Sequence, residues 1–312
     1  MPYQFFIFGY KDTGKTSLST QLWQFLVYLS REEKDLKGFF TDVILNVSWG
    51  PTQTISYDKL ILDINRRISI LIYAAGGGMY SQVQEYRFDL LDLATKFSNS
   101  EDPIAIVFDP RIIYFDEIFR LYSEESEILP SYRAIFFNEV KKELQQIFGY
   151  LKERNALNRK IIFIMNKGDF LVDLNKGESE ILEKTKRFID RTLGDTYLRD
   201  IPPKNIAYVV TSALIGAIEL HSLIEQGEFS KFKAGTLEES ISLKDRIIET
   251  IKNSPKGYKD YLLEKLENRD VRRYIKNSLK TIMSILCPSE VKFREIELYD
   301  RFINWYVEKL QS

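Results

Sequence analysis

The chain has 312 residues, 44% apolar and 29% charged, the balance of a globular protein with room for one large domain or a domain plus an appendage. Its net charge of −1 excludes a bulk electrostatic case for nucleic acid or an anionic membrane, although local basic patches are compatible with it. The single cysteine, Cys287, excludes an internal disulfide framework, and no leader, lipidation signal or run of the ~20 apolar residues needed to cross a bilayer is legible, so a cytoplasmic protein without an integral membrane segment is expected.

In chain order, "YQFFIF" is mostly apolar and ends at Gly9, the pattern of a buried parallel strand. "KTSLSTQLWQFLVYLS" carries apolar residues at helical spacing and predicts the following helix. "ISYDKLILDI" and "RISILIYAA" read as two strands joined by a tight turn at Asn65-Arg66. A helix is predicted across "QEYRFDLLDLATKF", and "IAIVFD" is a buried strand ending at Asp109. Residues 113–155 read as mostly helical, split by the acidic, serine-rich stretch "YSEESEILPSY". Then come a strand ("KIIFIM"), an amphipathic helix ("SEILEKTKRFIDRTLG"), a strand ("NIAYVVTSA") and a helix ("LIGAIELHSLIEQ"). This alternation predicts an α/β fold with a doubly wound, mostly parallel sheet over residues 1–228. "GEFSKFKAGT" marks a linker, placed at 229–242. Residues 243–312 show helical periodicity and no convincing strand, with Pro255 and Pro288 dividing a helical C-terminal region.

The stretch "FFIFGYKDTGKTSL" supplies Gly9, Gly14, Lys15 and Thr16 in the GxxxxGK[ST] pattern, between a predicted strand and a predicted helix. Such a loop turns backbone N–H groups toward phosphate oxygens, and the helix behind it adds its positive end. Lys11, Asp12 and Thr13 are the loop positions between the glycines, and Ser17 follows on the helix. Lys15 reaches the β- and γ-phosphates, and Thr16 offers its hydroxyl to Mg²⁺. The base is indicated further on. "IIFIMNKGDF" delivers Asn166, Lys167 and Asp169 at the end of a buried strand, where ligands bind in open α/β sheets. A carboxylate there accepts both the N1–H and the 2-amino donors of guanine, which adenine does not offer as a pair. "YVVTSALIG" ends the next strand with Ser212, Ala213 and Leu214, where a backbone N–H can meet the guanine O6.

On these motifs the chain resembles the Ras-like small GTPases over about residues 3–226. The resemblance implies bound GTP or GDP with Mg²⁺, a base held by Asn166, Lys167, Asp169 and Ala213, phosphates held by Gly14, Lys15, Thr16 and Ser17, and two switch segments. "GPTQTISYDKL" resembles switch I, most closely that of Arf-like and MglA-type GTPases. Thr54 is the choice for the threonine that closes on Mg²⁺ and the γ-phosphate, with Thr52 as its rival. In "LIYAAGGGMYSQ", Gly76 falls on the switch II glycine whose N–H meets the γ-phosphate. With Lys15 and Thr54, it completes the set that the resemblance assigns to catalysis.

The sequence also departs from the family. Tyr73 replaces the aspartate that holds Mg²⁺ through water, as MglA-type proteins also lack it. Gly77 stands where a glutamine orients the attacking water. Gln82 lies five residues on and would have to swing in. Lys11 sits two residues after Gly9, where most relatives have glycine; Rheb-type proteins, which are slow hydrolysers, also carry a basic residue there. Lys11 either crowds the incoming water-orienting group, is solvated, or stabilises γ-phosphate charge.

The remaining candidates carry bland expectations. His221, the only histidine, reads as structural or surface. Asp109 reads as strand-end packing or loop capping, and Asp116, Glu117, Glu124, Glu125 and Glu127 as a solvated acidic run. Arg269, Arg272, Arg273, Lys276 and Lys280 fall on one helical face, solvated or offered to an acidic partner or lipid headgroup. The tail aromatics read as core. The functional expectation is a guanine-nucleotide switch that hydrolyses GTP slowly and engages effectors or regulators through residues 47–56 and 76–88. The rival is a non-hydrolysing pseudo-GTPase subunit of a larger assembly, as in Rag-like heterodimers. A P-loop ATPase or kinase is a third reading, disfavoured by the base motif. A GTPase dimer is compatible with the first two. The helical region is expected to be dispensable for nucleotide binding.

Overall fold

A computed structural model describes residues 3–10, 13–33, 43–49, 57–64, 68–75, 103–122, 129–225, 257–286 and 296–311. β1 (Tyr3–Phe8) leads through the glycine loop into α1 (Lys15–Arg31). β2 (Val43–Trp49), β3 (Tyr57–Ile64) and β4 (Ile68–Ala75) follow, then β5 (Ile104–Phe108), α2 (Arg111–Tyr122) and α3 (Leu129–Glu153). β6 (Ile161–Met165), α4 (Gly168–Asp173), α5 (Glu178–Tyr197), β7 (Ile206–Val210) and α6 (Leu214–Glu225) complete the α/β alternation. The tail contributes α7 (Gly257–Glu267), α8 (Arg269–Leu286) and α9 (Ile296–Gln311).

The strands form one sheet in the order β2-β3-β4-β1-β5-β6-β7. β4, β1, β5, β6 and β7 run parallel, and β3 runs antiparallel to both β2 and β4. The chain leaves β1 toward one edge and returns to β5 on its other side, so the ends of β1 and β5 flank the topological switch point, where open α/β sheets bind ligands. The expected α/β class and helical C-terminal region are both present. β2 is an addition, because the sequence-based expectation puts no element between α1 and residue 55. Among the described residues it is an edge strand whose backbone pairs only with β3, Val43 opposite Ile64 through Trp49 opposite Asp58. Asn46 and Ser48 interrupt its apolar run, and that distant pairing, rather than local pattern, makes it a strand. The predicted helix at 84–97 and the turn at Asn65-Arg66 lie outside the described residues. α3 begins at Leu129, inside the predicted interruption, because Pro130 sits in its first turn, where proline is tolerated.

Alternation along the strands divides the core by face. Ile7, Ala105, Val107, Ile162 and Ile164 pack toward α1, α6 and the tail helices. Phe6, Phe8, Ile106, Phe108, Phe163 and Met165 pack toward α2, α3 and α5. α6 lies directly on α1, where a Cβ at Gly216 would come 1.8 Å from the Ser17 carbonyl oxygen, so only glycine permits this approach. The tail helices share the first of these cores. Phe25 of α1 stacks on Tyr299 and meets Phe302 edge-on, at centroid distances of 5.3 and 5.2 Å. Arg301 grips Glu33 at the end of α1 through two bonds of 2.9 and 3.1 Å. The basic stripe of α8 is largely engaged within the chain. Arg272 bonds the Leu266 carbonyl and Asn304, Arg273 pairs with Glu178 and Asp270, and Lys276 pairs with Asp300. The expected core role of Tyr274, Phe302 and Tyr306 holds, all three being buried.

Candidate functional site

The loop after β1 folds around its own lysine. Lys15 is 7% exposed, and its Nζ donates to the carbonyls of Gly9 and Tyr10, both at 2.8 Å. Thr13 Oγ1 donates to the Tyr10 carbonyl at 3.0 Å. Gly14 caps α1 in the left-handed region at φ 84°, which favours glycine. Among the described residues no side chain caps the first turn of α1, and no acidic residue lies in that turn. Its N–H groups and positive end therefore meet no competing carboxylate from that turn, which suits phosphate. Thr16 and Ser17 are the second and third residues of this helix.

The base motif meets the loop directly. Asn166 is 1% exposed at the end of β6; its Nδ2 donates to the Thr13 carbonyl at 3.0 Å, and its Oδ1 accepts from Thr211 Oγ1 at 3.2 Å. A Cβ on Gly14 would come 2.5 Å from that amide nitrogen, so the two motifs are in contact. Lys167 turns the chain in the left-handed region at φ 59°, and its Nζ reaches Asp109 Oδ2 at 2.6 Å. Asp109 directly follows β5, and its Oδ1 also accepts from the Arg111 backbone N–H at 2.9 Å and from Arg111 Nε at 2.8 Å. Burial pushes the Asp109 carboxyl up, but Arg111 and Lys167 together outweigh it and hold the group well below the usual carboxylate range. Asp109 thus caps its loop, as expected, and anchors the lysine of the base motif as well.

Asp169 lies in the first turn of α4 and accepts from Ser212 Oγ at 2.7 Å. Burial pushes its carboxyl above the ordinary aspartate value, against the Ser212 hydroxyl, which pulls it down. Ser212 and Ala213 lie in the turn after β7, and Leu214 opens α6. Gly9, Thr13, Gly14, Lys15, Thr16, Ser17, Asn166, Lys167, Asp169, Ser212, Ala213 and Leu214 are therefore gathered along one end of the parallel strands. Lys11, Asp12, Thr52, Thr54, Gly76, Gly77 and Gln82 lie outside the described residues. Residues 47–49 of the proposed first switch belong to β2, and Tyr73 lies in β4 opposite Phe6. Among the described residues, no cluster of three or more His, Cys, Asp or Glu side chains is placed to hold a metal ion. No described helix is long and apolar enough to cross a membrane.

Three contributors to the site escape sequence reasoning: Gln21, Lys265 and Tyr274. Gln21 Nε2 donates to the Ser212 carbonyl at 2.9 Å, and the Ser212 N–H donates to the Tyr274 carbonyl at 3.2 Å. Lys265 pairs with Asp173 and lies 3.4 Å from the Asp169 carbonyl. A buried glutamine on the apolar face of α1 is the one signal the sequence held.

No protein family matches the sequence, and no curated protein sequence is similar to it. Solved structures with a similar arrangement include a GTP-binding protein of the archaeon Sulfolobus solfataricus in complex with GDP, with 19% identity over 72% of this chain and 51% of that one, and a TM-score of 0.34. This chain thus spans about half the length of that protein. The mammalian SRP receptor is similar at 18% identity over 67% of this chain and 91% of that one, with a TM-score of 0.35. The signal recognition particle receptor complex of Chaetomium thermophilum gives 14% identity, 68% and 90% coverage and a TM-score of 0.35. Likeness at this level says nothing about what this chain binds.

Proposed function

We propose that this chain binds guanine nucleotide, GTP or GDP, across the ends of β1, β5, β6 and β7, and acts as a switch protein that hydrolyses GTP slowly. The observation that carries this reading is the bond from Asn166 to the Thr13 carbonyl. It makes the phosphate loop and the base motif two halves of one site, as a nucleotide requires, rather than two separate turns. Gly14, Lys15 and the first turn of α1 hold the phosphates, and Asp169 and Ala213 read the base. Lys15 already sits among loop carbonyls, so phosphate oxygens would replace those carbonyls as acceptors of its charged N–H groups.

Mg²⁺ would be carried by the phosphates. Thr16, the second residue of α1, would supply one hydroxyl ligand, and Thr54 is its proposed partner from the first switch. When bound, the ion neutralises charge on β- and γ-phosphate oxygens. Gly76 would present its N–H to the γ-phosphate. Effectors or regulators would engage residues 47–56 and 76–88, with a GTPase dimer as one such assembly and the cytoplasm as the setting. The second reading, a nucleotide-bound scaffold that does not hydrolyse, is favoured by Gly77, Lys11 and Tyr73 in the sequence.

Calorimetric titration of nucleotide-free protein with GDP and with ADP tests the proposal. GDP should bind tighter by about 10- to 100-fold, because losing charged hydrogen bonds to the base costs about 1.5–3 kcal/mol. Equal affinity for ADP, or no binding of either, would sink it.

A further inference from the structure

Ser212 is held at each of its polar atoms by a different element. Its N–H donates to the Tyr274 carbonyl of α8 at 3.2 Å, its carbonyl accepts from Gln21 Nε2 of α1 at 2.9 Å, and its hydroxyl donates to Asp169 at 2.7 Å. The same Gln21 nitrogen donates to Ser278 Oγ at 2.6 Å, one turn along α8 from Tyr274. The Tyr274 ring lies against the other base loop. A Cβ on Gly168 would come 2.5 Å from it, so the glycine between Lys167 and Asp169 is what lets the ring approach. Asn277 Nδ2 donates to the Val210 carbonyl at 3.2 Å, on the outer edge of β7. α8 therefore covers the open edge of the sheet at the point where the base loops leave it.

Among the described residues, this packing leaves one buried polar side-chain atom without a partner. Gln21 Oε1 has no hydrogen-bond partner among the described residues, while its amide nitrogen makes two bonds. The two bonds of its amide nitrogen, to the Ser212 carbonyl and to Ser278 of α8, fix the side chain between the base loop and α8.

We infer that α8 is the rear wall of the base site. Tyr274, Ser278 and Gln21 are positioning residues that set the Asp169–Ser212 pair, so that guanine binding and the seating of α8 are coupled. The inference rests on reading this site as a guanine site. Asp169 must offer its carboxylate at a fixed angle to two donors of one base edge, and Ser212 fixes one of its oxygens. Whatever orients Ser212 therefore sets base recognition, without touching the base. Because coupling between two sites is reciprocal, guanine nucleotide must in turn tighten α8 on the sheet. Phosphate binding, which rests on Lys15 and the loop after β1, should be indifferent to α8.

The test uses the full chain with four probes: GDP, GMP, inosine diphosphate, which lacks the 2-amino group, and ADP. Ser278→Ala, a small change that spares the core, and Tyr274→Leu are compared with wild type, with Tyr274→Phe as the conservative control. The expected result is a loss of preference for GDP over inosine diphosphate by about fivefold or more in the first two variants, the lower end of typical coupling between sites. The ratio of GDP to GMP affinity should not move, and Tyr274→Phe should behave as wild type. In wild-type protein, GDP but not ADP should slow amide hydrogen exchange at residues 271–279. General destabilisation would lower all affinities together and leave the GDP-to-inosine-diphosphate ratio alone. If wild type binds GDP and that ratio and the exchange of α8 both stay constant, the inference fails while the guanine site stands. If wild type does not bind GDP, both fail.

Discussion

Lys167 and Asp109 form an ion pair at 2.6 Å across two strand ends, on a carboxylate that Arg111 grips as well. Asp109 is buried, and without it Arg111 would be left as a buried cation without this partner. Asp109→Asn should therefore destabilise the protein by about 3–5 kcal/mol, the range for breaking a buried pair by removing one partner. Urea unfolding measures this directly. The folded-state carboxyl is held below its ordinary value, so the stabilisation is complete above the unfolded pKa, about 3.9. It is lost as pH falls from there toward the folded value. The gap between wild type and Asp109→Asn should stay constant from neutral pH down to about pH 5 and close below about pH 4. A gap that persists unchanged in acid would show that the pair is not what stabilises this strand end.

How much of this was legible in the sequence depends on the range of the interaction. The strands β5 and β6 are continuous apolar runs and β1 is nearly one, so local pattern alone identifies them. The phosphate and base motifs are local too, and the fold brings Gly14 and Asn166 into contact as the motif reading requires. β2 was not legible, because its pairing with β3 decides it and Asn46 and Ser48 blur its alternation. The tail could be read as helical from periodicity, but nothing in "RDVRRYIKNSLK" says that its Tyr274 carbonyl will meet Ser212. Nor does "NKGD" explain its own glycine until the Tyr274 ring is seen against it. The contacts of Tyr274 with Ser212 and Gly168 argue against a tail that is dispensable for nucleotide binding.

Guanine selectivity should rest on Asp169. Asp169→Asn is expected to weaken GTP by about 1.5–3 kcal/mol, the range for a charged hydrogen bond. It should gain xanthosine triphosphate, whose C2 carbonyl accepts from the new amide. Guanine needs the ionised carboxylate, and burial raises the pKa of this one. GDP affinity should therefore fall as pH drops, starting at a higher pH than an ordinary aspartate would give. The Asn variant should lack this component. Calorimetry across pH with both proteins separates the two, and identical profiles would mean that the base is read elsewhere.

Lys15→Ala should abolish tight triphosphate binding while the protein stays folded. The lysine answers to the phosphates, but it also closes the loop through the Gly9 and Tyr10 carbonyls. A stability loss of about 1–3 kcal/mol is expected from those two bonds, since carbonyls otherwise lose a charged donor. Thermal unfolding without nucleotide reads the second effect, and titration with GTP reads the first. A variant that binds GTP as wild type does would rule out this loop as the phosphate site.

The last prediction concerns hydrolysis, where the sequence departs most from its family resemblance. Gly77 supplies no side chain to orient water, and Lys11 occupies a place that most of the Ras-like GTPases it resembles leave to glycine. Loss of a group that acts only in the transition state lowers turnover and leaves ground-state binding nearly intact. Small GTPases that carry this glutamine hydrolyse GTP alone at roughly 10⁻⁴ per second. This chain should work at or below that rate, as read from single-turnover assays with Mg²⁺. Gly77→Gln combined with Lys11→Gly should raise the rate, by about tenfold for each 1.4 kcal/mol of transition-state stabilisation restored. Gly77→Gln alone should do less, because Lys11 would still crowd the inserted side chain. Turnover by the unmodified chain well above about 10⁻² per second would contradict this, because another group would already be placing the water. A double variant slower than wild type would identify the Lys11 ammonium as the group that stabilises charge on the γ-phosphate.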